Sequence, residues 1–272
     1  MKDHPTFVVG DVHGCRDELA DALCDAGLVD DGGNWIGADA HLWFLGDFVD
    51  RGPDGVGVID LVRSLQRQAP SSDGFVNSLL GNHEILLLGM HRFGDAPVPG
   101  GAGRCFARSW AVNGGQLADQ DALTGEHIEW LCSRPVVAVA AEHLLVHSDT
   151  LDYLDWGDTV EEINTAVGEV LAGHDLAQWW DLWRRMTSRF AFRGPDGAEA
   201  AEELLTRLGG QRVVHGHSVI ADQVGVHPVE LEAPHLYAGG KALGIDAGLF
   251  AGGPCLVVEL PYTPAEPATD RR

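Results

Sequence analysis

Carboxylate, imidazole and amide side chains recur in the first third of the chain in three short motifs. These are Gly10-Asp11-Val12-His13-Gly14, Gly46-Asp47-Phe48-Val49-Asp50-Arg51-Gly52 and Gly81-Asn82-His83-Glu84. Asp47 follows Asp11 by 36 positions, and Asn82 follows Asp47 by 35. Asp11 and His13 flank a single residue of a sharp turn, so both can reach one ion. Asp47 can bridge two ions with its two oxygens, and Asn82 offers an uncharged oxygen. Two later histidines stand where apolar runs end: His147 after Leu144-Leu145-Val146, and His217 after Val213-Val214-His215-Gly216. Two aspartates, one amide and three histidines would hold two divalent ions roughly 3.5 Å apart with positions left for water. A water bridging both ions would be largely hydroxide at neutral pH, which is the nucleophile that phosphate-ester hydrolysis needs. Arg51 can fork two phosphate oxygens. His83, as an imidazolium held by Asp50, can protonate the departing alkoxide.

Such side chains need rigid elements behind them. Each motif follows an apolar β-like run, at residues 6–9, 41–45 and 75–80, and residues 16–28, 54–68 and 84–90 read as helices between or after them. This alternation predicts an α/β fold with a largely parallel sheet, in which ligands bind beyond the carboxyl ends of the strands. Residues 95–103 form a Gly/Pro-rich loop, expected to be mobile. Buried strands are expected at 136–140 and 144–146, and again at 211–215, 223–226, 242–245 and 255–260. Between them, about 152–210 reads as an inserted helical cap rich in Trp and Arg. The expected organisation is therefore one domain over 1–260 with that cap, followed by a flexible tail at 261–272.

The totals limit the partners. The chain has 272 residues, 45% of them hydrophobic, and a formal net charge of −23. That charge argues against nucleic-acid and membrane-surface partners, both of which are anionic. Five cysteines (Cys15, Cys24, Cys105, Cys132 and Cys255) form no CxxC pair and no regular spacing, so neither a disulfide framework nor a cysteine zinc site is expected. The N-terminal residues show no apolar signal region and no apolar run approaches a bilayer span, which together predict a cytoplasmic protein.

The ordered set GDxHG, GDxxDRG and GNHE, followed by two late histidines, resembles the phosphoprotein phosphatase branch of the calcineurin-like metallophosphoesterase superfamily. The run from Gly244 to Pro254 resembles the closing segment of its bacterial members. The resemblance is dense only at the motifs. It implies a four-layer αββα sandwich and a dinuclear centre, most often filled by manganese, or by iron with manganese or zinc. Carried over, it puts Asp11, His13, Asp47 and His217 at the first metal and Asp47, Asn82 and His147 at the second, with Asp50, Arg51 and His83 as the catalytic set. The implied substrate is a phosphorylated protein, with dinucleoside polyphosphates or small phosphorylated metabolites as the alternative, since the branch contains diadenosine tetraphosphatases. Two features depart from the pattern. His147-Ser148-Asp149 stands where the branch usually has His-Gly-Gly or His-Ala-Gly. A second phosphate-binding arginine has three candidates, Arg185, Arg189 and Arg193. His215 shares a strand face with His217, and the Gly-His-Ser pattern favours His217 as ligand. The Trp residues of the cap are read as packing, or else as a substrate wall, and Asp246 as a support for a ligand.

Overall fold

Residues 4–264 are described by the structure, a computed structural model. The strands are β1 (Thr6–Val9), β2 (His41–Phe44), β3 (Phe75–Ser78), β4 (Val137–Ala140), β5 (His143–Val146), β6 (Arg212–His215), β7 (His235–Tyr237), β8 (Ala242–Gly244) and β9 (Val257–Leu260). The helices are α1 (Arg16–Asp25), α2 (Gly55–Gln68), α3 (Asn82–Phe93), α4 (Phe106–Val112), α5 (Leu117–Ala122), α6 (Gly125–Cys132), α7 (Val160–Ala172), α8 (Leu176–Met186), α9 (Gly197–Leu208) and α10 (Ile220–Val224).

The strands form two sheets, ordered β3-β2-β1-β9 and β4-β5-β6-β8-β7. β1, β2 and β3 run parallel in the first sheet, and β5, β6 and β8 run parallel in the second. The antiparallel strands β9, β4 and β7 lie at three of the four edges, and the parallel β3 lies at the fourth. Alternation explains the layering. On β1, Val8 joins Leu145 of β5 and Val214 of β6 in a core between the sheets, while Val9 faces the helices with Leu19 and Leu23 of α1. The result is helix, sheet, sheet, helix. α2 shows the helical half of the pattern: Val58, Leu61, Val62 and Leu65 are buried along one stripe, and Asp54 caps the first turn by accepting from the Gly57 N–H at 3.0 Å. Such a cap contributes about 1 kcal/mol.

The helical segment expected over about 152–210 consists of α7, α8 and α9. α7 packs on β4 and α9 on β6, and their apolar residues belong to the main core. α8 leans on α3 beside the motif-bearing strand ends. Its Trp179 meets Phe93 edge-on, and its Trp180 meets Phe106. Three local expectations change. The helix begun at Arg16 stops at Asp25, because Gly27 takes φ of 70° and turns Leu28 and Val29 into the core. Residues 220–224 are helix α10 where a strand over 223–226 was expected. Val224 and Val226 are solvent-exposed, and Gly225 ends the helix in the left-handed region at φ of 77°. The edge strand β7 had no periodic signature. Of the expected flexible tail, Tyr262 packs on the inter-sheet core and its carbonyl accepts from Arg212 at 2.8 Å, while 265–272 lie outside the described residues. Among the described residues the five cysteines are unpaired, and no helix is long and apolar enough to cross a membrane.

Candidate metal and phosphate site

All three motifs begin at the carboxyl ends of β1, β2 and β3, whose parallel pairing sets them side by side. His147 follows β5, His217 follows β6 and Asp246 follows β8, so the second sheet delivers its own polar side chains from the carboxyl ends of its own parallel strands. Close approach of the loops depends on glycine. At Gly46, with φ of 96°, a Cβ would overlap the backbone of Gly81, and at Gly216 it would overlap the Asp11 carboxylate. His13, Asp47, Asp50, Arg51 and His217 all adopt positive φ, between 47° and 67°. Left-handed backbone in non-glycine residues costs of order 1–3 kcal/mol each and persists where the surroundings over-determine it.

Those surroundings are hydrogen bonds between motifs. The Glu84 carboxylate accepts from the N–H groups of Asp47 (2.8 Å), Phe48 (2.7 Å) and Gly81 (2.9 Å), fastening the second motif to the third. Asp119, on α5, accepts from the N–H groups of Asp50 and Val56, each at 3.2 Å. Trp110, on α4, donates its indole N–H to Asp50 at 2.8 Å. No motif spacing singled out Glu84, Asp119 or Trp110 for these tasks, because each acts on a backbone or carboxylate far away in the chain.

Asp47 is central. One of its oxygens lies 3.6 Å from Nε2 of His13, the other 3.4 Å from Nε2 of His147. Asn82 Oδ1 is 2.8 Å from that same His147 nitrogen. Asp11 lies 3.9 Å from His13, and its carboxylate accepts the His217 backbone N–H at 2.9 and 3.1 Å. Potential ligand atoms gather into two buried groups, one of His13, Asp47 and His83, the other of Asp47, His147 and His217. His217 therefore belongs beside His147, where the resemblance had put it at the first metal. Its main chain is tied to Asp11, while its ring lies 5.0 Å from that of His147.

These side chains fit divalent ions on the structure's own terms. His13, His147 and His217 each give one ring nitrogen to a backbone carbonyl (Val49 at 2.9 Å, Leu45 at 3.0 Å and Thr187 at 3.1 Å), leaving the other nitrogen as a lone pair. That is how a ligating imidazole is oriented. Burial holds all three histidines neutral: His13 and His217 are well below the usual range, and His147 falls to about 3. Burial raises the Asp11 and Asp47 carboxyls well above the usual range, with Asp246 adding to the effect on Asp11 and Glu84 to that on Asp47. Asp246 is raised to about 6, and its Oδ2 is buried with no partner among the described residues. Buried carboxylates crowded in this way call for cations. His215 differs: its two ring nitrogens are engaged by the Gly216 carbonyl (2.9 Å) and the Tyr237 hydroxyl (2.7 Å).

The catalytic candidates meet beside these groups, Asp50 and His83 fully buried. His83 bonds Asp50 at 2.8 Å through Nδ1, and Arg51 spans the rings, donating to Nε2 of His13 (2.8 Å) and of His83 (3.1 Å). Burial, then the charges of Arg51 and Arg189, push the His83 pKa well below the usual range. Half-exposed Phe250 stacks on Arg51, 4.3 Å from ring centroid to guanidinium, and meets His13 edge-on. The three candidate arginines also separate. Arg185 is ion-paired with Asp155 and Asp181. Arg193 lies over the Phe190 ring at 4.0 Å, and its charge acts on His215 and His235. Arg189 has no ion pair among the described residues, and its charge reaches His83, His147, His217 and Asp246.

Residues 4–221 match the model of the calcineurin-like phosphoesterase family. The chain belongs to that family. The family uses a dinuclear metal centre, and the two groups around Asp47 contain this chain's candidate ligands for one. A symmetrical bis(5'-nucleosyl)-tetraphosphatase of Janthinobacterium sp. (strain Marseille) is 29% identical over 211 residues, 75% of this chain and 65% of the relative. Shewanella-like protein phosphatase 2 of Arabidopsis thaliana is 32% identical over 85 residues, 31% of this chain and 22% of the relative. The chain thus spans less than two thirds of the length of these curated relatives. Among solved structures, a cold-active protein-tyrosine phosphatase of a psychrophilic Shewanella species superposes with a TM-score of 0.67 at 20% identity, covering 94% of this chain and 75% of that one. A protein serine/threonine phosphatase from Saccharomyces cerevisiae superposes at 0.55 with 15% identity, covering 90% and 67%. These likenesses establish the shared family fold.

Proposed function

We propose that this chain is a hydrolase of phosphate monoesters that works with two divalent ions, manganese or iron paired with manganese or zinc, and that its substrate is a phosphorylated serine or threonine side chain of a protein. The observation that carries this reading is Asp47, buried between two groups of inward-facing imidazoles with one oxygen toward each. In it, Asp11, His13 and Asp47 would hold one ion, and Asp47, Asn82, His147 and His217 would hold the other. Bound ions would supply Lewis acidity, offsetting phosphate charge and acidifying water at the site.

The chain's own residues do the rest. Arg51 and Arg189 grip the phosphate oxygens, Arg51 by exchanging its two imidazole partners for the substrate. That exchange frees Nε2 of His83, and the phosphate charge offsets the two cations that lower the ring's pKa. Nε2 of His83 then takes up a proton from solvent and gives it to the departing oxygen, while Asp50 fixes the ring through Nδ1. Exposed Phe190 and Phe250 border the arginines and would meet the residues flanking a phosphorylated side chain. α8 and its neighbours would act as the cap that selects substrates, and reduced free thiols accord with a cytoplasmic setting.

A second reading, hydrolysis of dinucleoside tetraphosphates, is favoured by the longer sequence match to the symmetrical tetraphosphatase. A cleft of about 300 Å³ lined by Trp180, Trp183, Arg104, Arg108 and Arg184 would suit its second nucleoside. Manganese-dependent release of p-nitrophenol from p-nitrophenyl phosphate tests the shared chemistry. No turnover above an Asp47→Asn control would refute it. Rates on a phosphopeptide panel against diadenosine tetraphosphate then decide between the substrates.

A further inference from the structure

The geometry points to Asp149 as the positioning residue that holds Arg189 at the phosphate site; this rests on the proposed role of Arg189. Asp149 is wholly buried and has no ion pair among the described residues. A buried carboxylate without a cation is costly unless hydrogen bonds satisfy it. Here the bonds all lead to the segments around the site. One oxygen accepts from the hydroxyl of Ser218, next to His217. The other accepts the Phe190 backbone N–H at 2.9 Å, and the Asp149 carbonyl accepts the Ala191 N–H at 2.9 Å.

The loop joining α8 to α9 is thereby pinned twice. Its near pin is the Thr187 carbonyl, which takes the His217 ring at 3.1 Å, and its far pin is Asp149 on Phe190 and Ala191. Arg189 lies between the pins. Its side chain is exposed, with no hydrogen-bond or ion-pair partner among the described residues, so backbone placement aims it. The aiming turn is strained: Phe190 has φ of 76°, a conformation that a bulky aromatic residue keeps only where something enforces it. The Asp149 carboxylate binds the N–H of that same residue. The glycine that the branch usually has at this place has no side chain that could do so, and this gives the His-Ser-Asp departure a purpose.

The test combines phosphate inhibition with amide exchange. Inhibition constants for inorganic phosphate are measured on manganese-loaded wild type, Asp149→Ala, Arg189→Ala and the double variant, with bound manganese assayed in each. Hydrogen exchange at the Phe190 amide is followed on the metal-free proteins. Expected are a roughly tenfold weaker phosphate constant in both single variants, a double variant no weaker than Arg189→Ala, and unchanged manganese content. Phe190 exchange should rise at least about tenfold in Asp149→Ala and stay at the wild-type rate in Arg189→Ala. Multiplying losses, metal lost with Asp149, or unaltered Phe190 exchange would overturn the inference. If Arg189→Ala binds phosphate like wild type, it is the role of Arg189 that fails, and the exchange data still judge the pin. Should Asp149→Ala not fold, Asp149→Asn, which keeps one acceptor oxygen, must show intermediate values of both readouts; wild-type values would overturn it.

Discussion

The carboxyl ends of β1, β2 and β3 and those of β5, β6 and β8 face one polar centre, yet they are built differently. The first set is compact in sequence and self-fastening: Glu84 clamps the second motif to the third, Asp119 and Trp110 hold Asp50, and Asp47 lies between the two ligand groups. The second set comes from dispersed positions. His147, His217 and Asp246 arrive on three strands, and the loop bearing Arg189 is tied to this side through Thr187 and Asp149. The difference separates tasks. On the proposed reading, one side would supply most of the metal and proton chemistry, and the other would complete the ligands and present a pinned cation to the substrate.

Substitutions that touch one side and spare the other can break this contrast. The largest effect belongs to the first. Asp47→Asn should reduce kcat/KM for p-nitrophenyl phosphate by about 10⁴-fold, equivalent to ~5.5 kcal/mol. Next is His83→Ala, with a loss of about 10²–10³-fold on alkyl phosphates and much less on p-nitrophenyl phosphate, whose leaving group needs no proton. Equal losses on both substrates would argue against proton donation. Arg189→Ala tests the second side. Losing a charge-assisted contact worth about 1.5–3 kcal/mol should raise KM roughly tenfold or more, while thermal melting of the metal-free protein stays as in wild type. A collapse in melting temperature would make that loop structural. The smallest effect is expected from Phe250→Ala. An exposed cation–π contact of about 0.5–1 kcal/mol corresponds to a two- to fivefold rise in KM with bound metal unchanged.

The same contrast explains what the amino-acid order discloses. Asp11, His13, Asp47 and Asn82 stand out because chemistry-bearing residues follow apolar runs at near-equal intervals, a pattern set by one βαβ rhythm. His147 and His217 were visible at the ends of apolar runs, but His217's partner was not: which side its ring takes depends on a main-chain bond to Asp11, 206 residues away. Glu84 was visible as a motif letter without a task, since its partners are backbone N–H groups. Arg189 could not be told from Arg185 and Arg193, because ion pairing with Asp155 and Asp181 removes the first, and packing on Phe190 turns the last away. In the fold, the parallel core strands were legible from their apolar runs. Residues 220–224 were not, because valines left in solvent at 224 and 226 imitate a strand.

On the proposed reading, the two sides together make one two-ion centre hinged on Asp47. Calorimetric titration of manganese into chelator-stripped protein tests it most directly. Two ions per chain are expected for the wild type, and less than one tightly held ion for Asp47→Asn. A wild-type chain that takes up one ion or none, or an Asp47→Asn variant that still takes up two, would contradict it.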